Sequence, residues 1–227
     1  MEKVRRLYYL TGVMTGIACI AMQRLKVSRF VDLNDPFELM GVNVNDSITR
    51  KAFRATRDEL NKTKGLICFT QDWKSPLMWG HYADKHAGMA LGFDIPSELL
   101  TDVNYATRLF NLQLDPKTKR PVQGTVDMLI ATKFADWSYE KECRMFVSLD
   151  PKEAEGGMYF VPFSNDLKFR EIVLGPRSNY KIAEIRALAK KVSGEDEVKV
   201  TQSRIAFSRF EVLENKVATA ADKELDI

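Results

Sequence analysis

The stretch Gly65–Asp94, GLICFTQDWKSPLMWGHYADKHAGMALGFD, constrains this chain more than any other. It holds both histidines, His81 and His86, and two of the three tryptophans, Trp73 and Trp79. Leu66–Phe69 is a short apolar run before a polar break ending in Pro76, the pattern of a strand leaving through a loop. Leu77–Lys85 reads as one short helix, with Met78, His81, Tyr82 and Lys85 at i, i+3, i+4 and i+7. Gly88 is expected to stop it, and Met89–Asp94 to form a buried strand. Strand, aromatic helix and second strand together crowd polar groups onto an apolar frame. That is the pattern of a binding cleft.

The remaining sequence bounds the setting. The 227 residues suffice for one full core, expected over 1–217, with a polar tail at 218–227. A content of 45% hydrophobic and 29% charged residues is that of a water-soluble globular domain and argues against a disordered chain. The net charge of +3 permits an anionic ligand without demanding nucleic acid. Cys19, Cys68 and Cys143 are odd in number, scattered, and form no CxxC pair, so free thiols in a reducing cytoplasm are expected. Lys3, Arg5 and Arg6 precede an apolar run, Leu7–Met22, that superficially resembles a signal peptide. Thr11, Thr15, Gly12 and Gly16 interrupt it and it is short for a membrane span, so neither export nor a membrane partner is expected.

In chain order, Leu7–Leu10 is a strand, Val13–Gln23 a helix, and Leu25–Arg29 a half-exposed strand with Ser28 on its polar side. Phe30–Glu38, FVDLNDPFE, is a turn broken at Pro36. It is either only a turn or a rigid loop carrying Asn34, Asp35 and Glu38 to the mouth of a cleft. Ser47–Lys64 is a basic helix with Ser47 as N-cap, read first as a solvated face and alternatively as a phosphate-binding surface. Asn104–Arg120 is a polar loop or hairpin, and Val122–Lys133 a helix. In Asp136–Leu149 a period of two puts Glu140, Glu142 and Arg144 on one strand face. Strands at Met158–Phe163, Phe169–Leu174, Glu197–Thr201 and Ser208–Leu213 and a helix at Ile182–Val192 close the chain. Strands come both in runs and alternating with helices, so the class is α+β.

The blocks FVDLNDPFE, GLICFTQ, LMWGHYADKHAGMALGFD, WSYEKECR and EIVLGP resemble a bacterial family, domain of unknown function 2971, over about three quarters of the chain. That family is itself similar, distantly, to the ADP-ribosyltransferase clan. The resemblance implies split antiparallel β-sheets with flanking helices and NAD, as substrate, in the cleft between them. It implies three signature positions, which fall here on Tyr9, Ser28 and the E-x-E of Glu140-Lys141-Glu142, with Glu142 as the catalytic candidate. At the first position the pattern has His or Arg; Tyr9 brings a hydroxyl for a ribose but no cation for a pyrophosphate.

The chemistry suits these residues. A fixed carboxylate beside the breaking nicotinamide bond stabilises an oxocarbenium-like transition state. Glu140 is then the general base toward an acceptor. Arg24, Lys26 or Arg144 would meet the pyrophosphate, and Trp79 or Tyr82 would stack on a ring. The expectation is an NAD-cleaving ADP-ribosyltransferase acting on a nucleic-acid or protein acceptor, as a toxin or antiphage effector. The alternatives are a non-enzymatic nucleotide- or RNA-binding module and a metal-independent nuclease using His81 as acid–base. Glu140, Glu142 and Arg144 are alternatively no more than a salt-bridged strand face. His81 and His86 lie about 140° apart on an ideal helix, so no metal site is expected. Ser28, Asn34, His81, Tyr82, Glu140 and Glu142 are expected to line one cleft.

Overall fold

The computed structural model describes residues 3–193 and 198–221. In chain order the elements are β1 (Val4–Thr11), α1 (Val13–Met22), β2 (Arg24–Arg29), β3 (Val42–Asn43), α2 (Ser47–Thr63), β4 (Lys64–Thr70) and α3 (Pro76–Tyr82). They continue with β5 (Met89–Pro96), β6 (Thr101–Asp102), β7 (Asn104–Ala106), β8 (Phe110–Asn111), α4 (Gln123–Ile130), β9 (Thr132–Phe134) and β10 (Glu142–Ser148). The last are β11 (Tyr159–Pro162), β12 (Lys168–Leu174), α5 (Ile182–Ser193), β13 (Lys199–Ile205), β14 (Val212–Glu214) and α6 (Lys216–Ala221). The class is α+β: a curled, mostly antiparallel sheet with helices packed on it. In that sheet β12 and β13 pair in parallel, with α5 as the crossover such a pair requires.

The sheet is built as two ladders with a gap between them, and β4 shows how. β10 pairs with β4 along its whole length, from Ser148↔Lys64 to Glu142↔Thr70, and so occupies one entire edge. β2 pairs with β4 at Ser28↔Leu66 and Arg29↔Gly65, and β1 pairs with it at Tyr8↔Thr70. Both must therefore share the other edge, leaving Ile67, Cys68 and Phe69 between them without a strand partner there. β1 departs to its eight-residue ladder with β5, and β2 to its ladder with β11. Gly65 permits the β2 approach, since a Cβ there would lie 2.3 Å from Val27 Cγ1.

Three apolar clusters surround this gap. Leu7, Ile20, Leu91, Phe93, Ile172 and Ile185 pack under α1 and α5; Phe53, Leu60, Leu66 and Leu129 pack under α2 and α4; Leu10, Met78, Trp79 and Val173 pack under α3.

Several boundaries differ from the sequence expectation for local reasons. Asp46, not Ser47, caps α2, its carboxylate accepting from the Thr49 N–H at 2.8 Å. α3 ends at Tyr82, because Asp84, Lys85 and His86 take left-handed backbone angles, so Lys85 and His86 are in a turn and Gly88 stops nothing. The helix expected over Val122–Lys133 ends at Ile130, and Thr132–Phe134 forms β9 beside β7. The apolar N-terminal run divides, as expected, into a strand, β1, and a helix, α1. Glu197, expected to open a closing strand, and residues 222–227 of the expected tail lie outside the described residues, while Lys216–Ala221 is helical. The three cysteines are free thiols.

Candidate functional site in the split of the sheet

Where β1 and β2 diverge along β4, a cavity of about 240 Å³ opens between them. Its lining draws on Tyr8, Tyr9, Lys26, Ser28, Asn34, Glu38, Cys68, Tyr82, Lys133, Glu140, Glu142 and Arg144. Ser28 and Glu142 are far apart in sequence, yet only β4 separates their strands.

Five buried ionic groups form the cavity wall. Arg144, 0% exposed, donates from Nε to Glu142 Oε1 at 2.9 Å, from Nη2 to Glu142 Oε2 at 3.2 Å, and from Nη1 to Glu38 Oε1 at 2.8 Å. Nη1 also reaches the Ile130 carbonyl at 2.6 Å. Lys133 Nζ bridges Glu140 Oε2 at 2.6 Å and Glu142 Oε2 at 3.4 Å, and lies 4.8 Å from the centre of the Trp137 ring. The Tyr82 hydroxyl donates to Glu140 Oε1 and accepts from Asn34 Nδ2 at 3.0 Å. Ionised throughout, Glu38, Glu140 and Glu142 against Lys133 and Arg144 leave one negative charge in excess.

The convergence of the two glutamates is not simple strand alternation. Along a regular strand, residues two apart are separated by about 6.6 Å of rise. Here Glu140 closes a 3-10 turn, Ala135–Glu140, and Lys141 takes φ 46°, a left-handed angle uncommon for a residue with a side chain. That kink folds Glu140 back over Lys133 beside Glu142.

The same surroundings push the two carboxyls in opposite directions. Burial raises Glu140 above the ordinary carboxylate value, against the pull of Lys133 and the Tyr82 hydroxyl. Burial pushes Glu142 up as well, but Arg144 and Lys133 outweigh it and hold Glu142 below that value. Burial works to lower Lys133, and Glu142 and Glu140 raise it instead. Burial and Glu142 push the Cys68 thiol well up, which disfavours it as a nucleophile.

Glu140 therefore has a signature in stability. Its folded pKa lies above its unfolded one, so its contribution is full below 4.5 and is lost as pH rises through the folded value. Glu140→Gln removes that titration. Urea unfolding of both proteins from about pH 4 to pH 8 is expected to show wild type losing ground to the variant as pH rises. A difference that stays flat across the range would mean that Glu140 is not held up by its burial.

Seven of the eleven expected site residues meet at the cavity: Tyr9, Ser28, Asn34, Tyr82, Glu140, Glu142 and Arg144. Four do not. Arg24 turns to Glu155, 2.7 Å away, with its guanidinium 3.8 Å above the Phe160 ring. Asp35 is buried in the loop, accepting from the Phe37 N–H at 2.9 Å. Trp79 is 0% exposed and its indole N–H donates to the Trp73 carbonyl, so it offers no face to a ligand ring. His81 is exposed outside the lining, its Nδ1 2.8 Å from the Tyr139 hydroxyl and its ring edge-on to Trp137 and Tyr139. An acid–base role in the cavity is thus closed to His81. Tyr9 contributes to the wall while its ring packs edge-on against Phe69; Tyr8, paired with Thr70 and so on the face that Glu142 shares, donates to Glu171 Oε2 at 3.1 Å.

No family model, curated protein or solved structure matches the chain. What can be said of its chemistry rests on the cavity. No helix among the described residues is long and apolar enough to cross a membrane. Lys133 is the member of the ionic wall that sequence reading missed. Its signal was a lone lysine among apolar residues, in ATKF just before WSYEKECR.

Proposed function

We propose that the cavity binds the nicotinamide–ribose part of NAD and that the protein transfers ADP-ribose, as the resemblance to the ADP-ribosyltransferase clan implies. One observation carries the reading: two carboxylates with oppositely shifted acidities share one cavity with Ser28, across a single strand. Environments that separate two acidities in this way assign an ionised stabiliser and a proton acceptor. Glu142, held ionised, faces the ribose C1′ as its bond to nicotinamide breaks. The bonding pair leaves with the nicotinamide nitrogen, positive charge develops at C1′, and Glu142 stabilises it. An acceptor oxygen or nitrogen then bonds to C1′ and gives its proton to Glu140, whose raised pKa suits it to take one.

The excess negative charge of the wall favours the cationic nicotinamide ring of NAD over the neutral product. The volume, about 240 Å³, is below the range of roughly 300–1,000 Å³ typical of ligand pockets, so it takes the ring and its sugar and leaves the rest at the mouth. Lys26 and Asn34 line the cavity with their exposed side chains and would meet the pyrophosphate there. Incubating the pure protein with NAD and measuring released nicotinamide tests the reading. Absence of release, alone and with bacterial extract as acceptor source, would sink it.

The acceptor is argued from a second groove. Lys51 of α2 and Lys64, which opens β4, face Lys119 and Arg120 across about 920 Å³, with Glu59 as the acid in the lining. Such a surface suits a nucleic-acid acceptor, and it equally supports the non-enzymatic RNA-binding alternative. The other α2 cations are elsewhere: Arg50 donates to the Val44 and Asn45 carbonyls, and Arg57 lies near Asp58. Changing Lys51, Lys119 and Arg120 together to Gln is expected to weaken binding of a single-stranded RNA. It should also reduce the slope of log affinity against log salt by about 0.7 for each phosphate no longer neutralised. Arg54→Gln with Arg57→Gln should leave both unchanged; an equal loss from that pair would make the groove an ordinary solvated surface.

A further inference from the structure

Glu38 comes to the cavity with one oxygen unused. Oε1 is taken by Arg144, but Oε2 is buried without a hydrogen-bond partner, on a side chain only 4% exposed. Buried carboxylate oxygens are rarely left so, because desolvation is then uncompensated. Its neighbours in the wall are fully engaged. Both oxygens of Glu142 accept from Arg144, and those of Glu140 accept from Tyr82 and Lys133. The loop also commits backbone to this position. The Glu38 N–H donates to the Asp35 carbonyl at 3.0 Å, and buried Leu39, next in the chain, takes φ 63°.

We infer that Glu38 Oε2 accepts a hydrogen bond from a primary carboxamide on the ligand's ring, so that the cavity takes a carboxamide-bearing ring and refuses its carboxylate analogue. The inference rests on the NAD reading above and names which dinucleotide the site selects. Glu38 and Glu142 hold the same guanidinium. The free oxygen therefore lies on the same cavity wall as the carboxylate assigned to C1′, with one guanidinium and its two sets of hydrogen bonds between them. A nicotinamide ring with C1′ at Glu142 carries its carboxamide on the far side of the ring, toward such a second acceptor. An ionised carboxylate is an acceptor only, so a ring carboxylate would meet it as a second anion with no proton to share. A site built around such a bond discriminates more sharply than one built on apolar contact.

The test compares NAD with nicotinic acid adenine dinucleotide, which carries a carboxylate in place of the carboxamide, by calorimetric titration of the intact protein. Wild type is expected to bind NAD tighter by about tenfold or more. Glu38→Gln keeps an oxygen for Arg144 and turns an NH2 group to the cavity, so the ratio should fall about tenfold or reverse. Tight NAD binding with an unchanged ratio in Glu38→Gln overturns the inference and leaves the NAD reading standing. Binding of neither dinucleotide by wild type overturns both. Should Glu38→Gln not fold, the wild-type ratio alone decides. Equal affinity would mean that the oxygen faces a sugar hydroxyl common to both ligands, and the carboxamide assignment falls.

Discussion

Arg144→Met is expected to destabilise the fold by about 3–5 kcal/mol, the scale for removing one partner from a buried ion network. For a chain of this size that is a fall in melting temperature of roughly 6–20 °C. The reason is what the substitution leaves behind. Arg144 is 0% exposed and carries hydrogen bonds to Glu142, Glu38 and the Ile130 carbonyl. Without it three buried carboxylates share Lys133 alone, and the charge excess of the wall rises from one to two. Changing Glu38 and Glu142 to Gln in the same background should recover part of the loss, because the groups left unpaired are then neutral. Unfolding curves for the three proteins measure this. A loss below about 1 kcal/mol from Arg144→Met would mean that the network is not what holds these strands together.

Glu142→Gln should lower NAD turnover by about 10²-fold or more while NAD still binds. The side chain keeps its shape and loses the charge proposed to face C1′. At 5% exposure, with Arg144 and Lys133 both donating to it, Glu142 is part of the frame whichever role it plays. Some stability should therefore be lost in either case, and the decisive quantity is turnover per folded molecule. Wild-type turnover in folded Glu142→Gln would remove the residue from the chemistry and with it the main ground for an enzyme.

What could be read from the sequence followed the strength of the local signal. Alternation in KVSR and ECR fixes which side chains share a face, so Ser28, Glu142 and Arg144 were legible before any fold was known. Glu140 was found for an incomplete reason, since the left-handed Lys141 brings it round and no periodicity encodes that angle. Lys133 was hidden because Val122–Lys133 keeps a helical apolar rhythm past the point where Ala131 ends the helix. In LYYL every residue suits a strand on either face, so the pattern could not say which tyrosine would face which core. His81 and Trp79 were misjudged together. A seven-residue helix buries one side and exposes the other, and the aromatic character of both residues masked which was which.

The Tyr8–Thr70 pair, where β1 touches β4, makes the molecule a pair of tweezers. Each arm is stiff: β4 and β10 are laddered over seven residues, β1 and β5 over eight. The arms share a fulcrum one rung wide. Beside that fulcrum sits a clasp, since Glu142 pairs with Thr70 and Glu140 lies two residues before it. Tyr82 belongs to the helix seated on the β1 arm, while Asn34 and Glu140, which it bonds, flank strands of the β4 arm. The arms are thus joined twice at one end, by backbone at Tyr8–Thr70 and by the Tyr82 phenol. Tyr8, Ser28 and Glu142, which their pairing with β4 puts on one face, line the opening that these two joints brace.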